Sequence, residues 1–201
     1  LQDRLDGDVT VDAATRAMYA TDASVYQILP AGVVRPRHAE DVALVLAFCR
    51  EHGISITARG GGTSQAGQAI GAGLQLDFSK YFGELVELQP DRHRVRVQPG
   101  IVLDELNATL QPYGLTLPLD LSTSSRATIG GMICNNSSGT RSVVYGKTID
   151  YVESLTVMLS DGSVVVLDDT APDASETLVA SCQATVLRLA SEHAQEIQRR
   201  Y

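Results

Sequence analysis

The sequence lacks the long apolar segment that a membrane-spanning helix requires. No stretch of its 201 residues approaches the roughly 20 consecutive apolar residues of a span. Its first residues also lack the basic segment and apolar run of a signal peptide. The expected location is therefore the cytoplasm, either free or at the periphery of the inner membrane.

Basic residues and cysteines are scarce. Lys and Arg total 16 against 24 Asp and Glu, a formal net charge of −8, so nucleic-acid binding is not expected. The three cysteines, Cys49, Cys134 and Cys182, are widely spaced and fit a reducing compartment. Cys49 lies on the apolar face of a predicted helix and is expected in the core. No histidine has metal-ligand spacing, and no metal site is predicted.

Hydrophobic patterns predict strands alternating with helices. A short strand at 33–35 stops at Pro36, a helix runs from Ala39 to a stop at Gly53, and a strand at 54–58 follows. Further elements are half-buried strands at 74–78, 84–89 and 94–98, a helix with Leu103, Leu106 and Leu110 on one face, a hairpin at 155–167 that turns at Asp161 and Gly162, and a helix from about Glu176 onward. That last helix has no stop signal, and the sequence begins without Met. The chain is therefore expected to be a piece of a longer protein.

A glycine-rich segment, Arg59-Gly60-Gly61-Gly62-Thr63-Ser64, directly follows a predicted strand. Consecutive glycines let the main chain approach a ligand closely and aim successive N–H groups into one concavity, which suits a pyrophosphate. Thr63 and Ser64 add hydroxyl donors, and Gly67 lets the chain turn away. For this segment alone, a plain glycine-rich turn is an equal alternative.

The stretch 118–148 is predicted to be irregular and is dense in Ser, Thr, Gly and Asn. Loops this long in a compact domain are usually functional or disordered. Small residues of this kind can bring the main chain against a flat ring system while amides and hydroxyls bind its polar edges. A flexible surface loop is the alternative.

Three better-known nucleotide or hydrolase motifs are not matched. The dinucleotide fingerprint counted from Gly60 meets Gln65 where its third glycine is required. Gly146-Lys147-Thr148 resembles the end of a phosphate-binding P-loop, but Arg141 stands where that loop needs glycine. Ser64 lies in Gly-Thr-Ser-Gln-Ala, which is not the Gly-x-Ser-x-Gly elbow of a hydrolase.

Taken together, the motifs resemble the FAD-binding domain shared by vanillyl-alcohol oxidase and p-cresol methylhydroxylase. The resemblance covers about residues 21 to 168 and rests on the order of the motifs, which are Arg59 to Thr63, Val97 to Gly100, Pro118 to Asp120, Thr128 to Gly131, Tyr145-Gly146 and Asp150 to Val152. Within that family, the sequence most resembles D-2-hydroxy-acid dehydrogenases of the long type with iron–sulfur motifs. This similarity rests on Thr21 to Ser24, Tyr26, the Pro-Leu-Asp-Leu run at 118–121 and Tyr145 to Thr148.

The resemblance implies an α+β fold of two lobes with FAD between them. The first lobe is expected at 1–80 and carries the pyrophosphate loop, and the second, at 81–201, lines the flavin. The implied FAD-binding residues are Arg59, Gly60, Gly61, Gly62, Thr63, Ser64 and Gly67 around the pyrophosphate, Pro118, Ser124, Ser125, Gly130, Gly131, Asn135 and Gly139 along the flavin and ribityl chain, and Val152 near the adenine. Relatives with covalent FAD often have His where Thr63 stands, so non-covalent FAD is expected.

The reaction implied is oxidation of a D-2-hydroxy acid, such as D-lactate, glycolate or D-2-hydroxyglutarate, to the 2-oxo acid by hydride transfer to flavin N5. The base and the substrate arginine come from a cap domain in the family, so no catalytic residue is assigned here. A quinone, cytochrome or iron–sulfur carrier would accept the electrons, and any iron–sulfur cluster would lie in the C-terminal region outside this chain. The alternatives are an FAD-dependent alcohol or sugar oxidase and a non-catalytic flavin-binding domain.

Overall fold

A computed structural model describes residues 1–170 and 177–201. Chain contacts divide them into two compact units, Leu1–Val152 and Glu153–Tyr201. The predicted lobe boundary near residue 80 stays a prediction. No helix within the described ranges is long and apolar enough to cross a membrane.

A four-stranded sheet forms the first part of the N-terminal unit, in the order β1-β2-β4-β3. Strand β1 is antiparallel to β2, whereas β2, β4 and β3 are parallel. These elements are β1 (Asp8–Thr10), α1 (Ala13–Met18), β2 (Gly32–Arg35), α2 (Ala39–His52), β3 (Ile56–Arg59) and β4 (Leu74–Asp77). Helix α2 crosses from β2 to β3, and the glycine-rich segment leaves the carboxyl end of β3.

Helix α2 has the predicted limits. Val42, Val45 and Cys49 are buried on one face, which confirms the expectation for Cys49. Gly53 adopts a left-handed conformation with φ of 64° and donates its N–H to Cys49, an end that glycine makes without steric cost.

Strand β4 differs from the prediction of a half-buried strand. All four of its residues are buried, including Gln75 and Asp77. A strand between parallel neighbours is covered on both faces, so its polar side chains must find partners in the interior. Asp77 accepts hydrogen bonds from Tyr19 Oη and from Ser79.

The second part of the same unit packs around one helix. Helix α3 (Leu103–Leu110) buries Leu103, Leu106 and Leu110, as its apolar spacing predicted. The hairpin β5 (Leu85–Gln89) and β6 (Arg94–Val97) contributes half-buried Leu and Val to the same core. Two short helices follow, α4 (Ile129–Asn135) and α5 (Ser142–Tyr145).

Helix α4 corrects the prediction of an irregular stretch from 118 to 148. Thr128 is its N-cap, with the Oγ1 atom accepting from Gly131 N at 3.4 Å. Ile129 and Met132 are buried in the core around α3. Their burial outweighs the low helix propensity of the two adjacent glycines.

The C-terminal unit contains the predicted hairpin, β7 (Leu155–Met158) and β8 (Val164–Leu167), with Gly162 at φ of 91° in its turn. Two helices follow, α6 (Thr177–Glu192) and α7 (Ala194–Arg200). The predicted C-terminal helical region is confirmed from Thr177, while Glu176 lies outside the described residues.

Candidate FAD-binding site

The glycine loop, residues 60–64, has a conformation that leaves main-chain donors available. It begins where β3 ends, and ligands of open sheets bind outside the carboxyl ends of parallel strands. Gly62 has φ of 65°, in the left-handed region that favours glycine. Within the described part of the chain, the N–H groups of Gly61, Gly62 and Thr63 donate to no acceptor. Adjacent free donors of this kind fit an anion such as a pyrophosphate.

The exit from the glycine loop is a tight turn centred on Ser64. Its Oγ accepts from Ala66 N at 3.2 Å and from Gln68 N at 3.3 Å, and donates to Gln68 Oε1 at 2.8 Å. Gly67 follows with φ of 74°, and a Cβ there would lie 2.9 Å from Tyr26 Cδ2. Ser64 and Gly67 therefore shape the loop, and their predicted contacts with a cofactor stay predictions.

A second segment, residues 126–131, packs directly on the glycine loop. A Cβ on Gly60 would overlap Thr128 Oγ1, and a Cβ on Gly61 would overlap the carbonyl oxygen of Arg126. The two motifs, far apart in sequence, thus form one continuous surface because glycine removes the atoms that would separate them. Gly130 makes a similar approach to Pro99, where a Cβ would lie 2.6 Å from the proline Cβ.

A third segment, residues 117–121, is held by the side chain of Asn107 on α3. Leu117 N donates to Asn107 Oδ1 at 2.7 Å, and Asn107 Nδ2 donates to Leu117 O at 3.2 Å. This pair of bonds mimics a strand ladder and fixes the direction in which the chain enters the next residues. Gly139 lies against the other side of the segment, where a Cβ would overlap Asp120 O.

A cleft of about 360 Å³ opens beside this third segment. That volume lies within the range of about 300–1,000 Å³ typical of small-molecule sites. Its lining combines leucines with polar groups: Leu103, Asp104, Asn107, Thr116, Leu117, Pro118, Leu119, Asp120, Leu121, Ser124, Arg141 and Tyr145. Two of the predicted flavin residues, Pro118 and Ser124, are among them.

An ion pair crosses one edge of the cleft. Arg141 Nε lies 3.1 Å from Asp120 Oδ2, which also accepts from Thr140 Oγ1 at 2.7 Å. The hydrogen bond from Thr140, and then the bond and charge of Arg141, hold the pKa of the Asp120 carboxyl below its ordinary value. Asp120 is therefore ionised at neutral pH, and the pair ties the third segment to the residues just before α5.

The remaining predicted site residues occupy several places. Gly131 and Asn135 are exposed on α4, Ser125 is exposed two residues before Ala127, and Val152 is half-buried after the 3₁₀ turn Thr148–Tyr151. Gly60, Gly61, Gly130 and Gly139 make close contacts with neighbouring motifs. Among the described residues, Val152 makes no hydrogen bond with the glycine loop. Their contacts with FAD stay predictions.

Sequence reasoning gave no role to Asn107 and named Thr128 only as part of a motif. Asn107 carries no motif, and only the folded path of the chain brings Leu117 to it. Thr128 had a usable signal, because a threonine preceding Ile-Gly-Gly-Met is a possible N-cap, but the glycines favoured a loop. Among the described residues, no group of His, Cys, Asp and Glu is arranged to hold a metal ion.

A glycine-rich loop with unpaired main-chain donors at the carboxyl end of a parallel strand is an arrangement typical of nucleotide-binding domains. The chain belongs to the FAD binding domain family, whose sequence model matches residues 30–168. In fold it is similar to alkyldihydroxyacetonephosphate synthase, with a TM-score of 0.70 and 20% identity over 80% of this chain and 31% of that one. The predicted α+β fold and FAD as cofactor are thereby confirmed.

Curated relatives extend the comparison. The chain is 39% identical to D-2-hydroxyglutarate dehydrogenase of Escherichia coli over 88% of its length, and 44% identical to the Pseudomonas putida enzyme of that name over 78%. It is 36% identical to glycolate oxidase subunit GlcD of Bacillus subtilis over 76%. The chain spans 18%, 16% and 33% of the lengths of these relatives, respectively.

Proposed function

We propose that the protein carrying this domain oxidises a D-2-hydroxy acid to the 2-oxo acid, with D-2-hydroxyglutarate as the first substrate to test. The cofactor half of this proposal rests on the N–H groups of Gly61, Gly62 and Thr63, which donate to no acceptor among the described residues and so fit a pyrophosphate. Relatives named for D-2-hydroxyglutarate oxidation support the substrate half.

The residues of this chain would bind and orient FAD. The glycine loop would hold the pyrophosphate through its N–H groups, and the small residues at 124–125, 130–131, 135 and 139 would line the flavin and ribityl chain. Val152 would lie near the adenine. Thr63 has no nucleophilic ring nitrogen, so FAD would be held without a covalent bond.

When bound, FAD supplies a two-electron acceptor for the hydride that leaves C2 of the hydroxy acid. This chain would orient the cofactor and exclude water from it, while a base elsewhere in the whole protein would take the hydroxyl proton. We assign no catalytic residue to residues 1–201. Small 2-hydroxy acids are the proposed substrates, and the electron acceptor is a carrier outside this domain.

Two measurements test the proposal separately. Titration of the purified chain with FAD, followed by visible absorption and acid precipitation, should show bound flavin that the acid releases. The intact protein should then reduce a redox dye with D-2-hydroxyglutarate but not with its L-enantiomer. Flavin that remained in the acid pellet would contradict non-covalent binding, and turnover only of alcohols or sugars would contradict the proposed substrate class.

A further inference from the structure

The side chain of Arg59 is folded back against the main chain of its own loop. Nη1 donates to Ala69 O at 2.9 Å and Nη2 donates to Thr21 O at 2.9 Å. A Cβ on Gly62 would lie 2.6 Å from Nη2, so the guanidinium packs directly on the glycine loop. Both terminal nitrogens are thus used within the protein.

The other neighbours of Arg59 are also internal. Its Cζ lies 5.0 Å from the centre of the Tyr19 ring, and Nη1 lies 3.4 Å from Oε1 of Gln75. Gln75 is fully buried, and its Nε2 donates to Tyr19 O at 2.8 Å. The guanidinium is therefore part of a network that connects β3 and β4 with the segment at 19–22.

That segment forms a wall of the glycine loop. Ala23 N donates to Gly62 O at 3.1 Å, and Ala69 N donates to Asp22 Oδ2 at 3.3 Å. Burial raises the pKa of the Asp22 carboxyl, but hydrogen bonds from Ser24 and Ala69 and the charge of Arg59 outweigh it, and the pKa lies below its ordinary value. Arg59 and Asp22 therefore connect the same two segments, around residues 21–23 and 69, to the loop.

We propose that Arg59 and Asp22 are positioning residues for the pyrophosphate loop, an inference that rests on the proposed function. Arg59 sets the directions of the Gly61, Gly62 and Thr63 N–H groups by donating to main-chain carbonyls on both sides of the loop. It does not pair its charge with the pyrophosphate. The guanidinium of arginine donates from two terminal nitrogens in a fixed planar geometry, whereas the three N–H groups of lysine radiate from one nitrogen and do not reproduce that geometry.

The first test uses Arg59→Lys and Arg59→Gln, with Arg92→Lys as a matched control on an exposed turn. In the FAD-free chain, the hydrogen-exchange rates of the Ala23 and Ala69 amides should rise about tenfold or more in both Arg59 variants. The same rates should be unchanged in the control. FAD affinity should fall by a similar factor in Arg59→Lys although the charge is kept, and to the same extent at about 50 and about 500 mM KCl, because the lost hydrogen bonds to neutral carbonyls are not screened as a charge–phosphate pair is.

Direct pairing with the pyrophosphate would give different results. Lysine, which keeps the charge, would then keep most of the affinity, and exchange in the FAD-free chain would match the wild type. Those results would overturn the proposal. Failure of the wild type to bind FAD would instead contradict the proposed function, while the exchange rates would still decide whether Arg59 sets the loop.

A second variant serves if the Arg59 variants do not fold. Asp22→Ala removes a negative charge near the loop and also removes the acceptor of Ala69 N. If Asp22 positions the loop, FAD affinity falls and the amide of Ala23, which donates to Gly62 O, exchanges faster. If Asp22 acts only through its charge, its removal strengthens binding of the anionic cofactor, which would overturn the proposal.

Discussion

The carbonyl oxygen of Arg126 lies against the Cα of Gly61, in the space that any side chain at residue 61 would occupy. Gly60 makes the same kind of contact with Thr128. These contacts join the loop after β3 to the segment that leads into α4. The candidate site therefore exists only when both parts of the N-terminal unit are folded, because each supplies one side of it.

Gly61→Ala should weaken FAD binding. The added Cβ overlaps Arg126 O, and overpacking of this kind costs about 1–3 kcal/mol. We expect about a tenfold or greater rise in the FAD dissociation constant, measured by quenching of flavin fluorescence. Gly83→Ala is the control, since a Cβ there meets nothing within 4 Å. Equal affinity in the two variants would contradict the close packing of the two motifs.

Asn107→Asp should destabilise the N-terminal unit. The new carboxylate still accepts from Leu117 N but has no donor for Leu117 O, so one of the two hydrogen bonds between residue 107 and Leu117 is lost. Loss of a hydrogen bond that leaves its partner unsatisfied lowers the free energy of unfolding by about 1–3 kcal/mol, and denaturant unfolding measures this change. Glu105→Gln on the exposed face of α3 should have little effect. An unchanged denaturant midpoint in Asn107→Asp would show that the hydrogen bonds of Asn107 do not stabilise the segment at 117–121.

Asp41→Asn should remove a pH-dependent part of the stability. Asp41 is 1% exposed and accepts from Asp6 N at 3.0 Å and Arg37 N at 2.8 Å. Burial raises the pKa of its carboxyl, but these N–H donors and the charge of His38 outweigh burial, so the pKa lies below the ordinary value of 3.8. A depressed pKa contributes stability above the unfolded value, and that contribution is lost as the pH falls through the folded value.

The expected difference between wild type and Asp41→Asn is about 1–3 kcal/mol near neutral pH, and it should shrink as the pH falls below about 4. Unfolding in urea at a series of pH values measures it. Glu51→Gln, exposed near the end of α2, is the control and should show no such loss. A difference that stayed constant down to low pH would contradict the assignment to the Asp41 carboxylate.

The three cysteines should differ in reactivity toward a thiol reagent. Cys134 and Cys182 are exposed, whereas Cys49 is 2% exposed and its pKa is raised by burial, which disfavours the reactive thiolate. We expect two thiols to react in the folded chain and the third only after unfolding, as counted by absorbance of the released thiolate dye. Cys49→Ala should leave the rapid count at two. Three rapid thiols in the wild type would contradict burial of Cys49.

Local patterns predicted most of the elements. The spacing of Val42, Val45 and Cys49 and the stop at Gly53 predicted α2, and Asp161-Gly162 predicted the turn between β7 and β8, because these signals act within a few residues. Helix α4 was missed because its stability comes from burial of Ile129 and Met132 against residues remote in sequence. The glycine loop was found because its composition is unusual in itself, while Asn107 was not, since one asparagine on a helix has no distinctive pattern.

The sequence alone determined the order of the motifs, the FAD-binding family they belong to and the need for glycine at the loop. Those properties depend on main-chain conformation and on short-range spacing, which the residues themselves encode. Only the tertiary structure decided which motifs touch. Three contacts depend on how remote segments pack: Gly61 against Arg126, the hydrogen bonds of Asn107 to Leu117, and the inward turn of the Arg59 guanidinium. Such long-range contacts are determined by burial and by hydrogen-bond satisfaction across the whole unit.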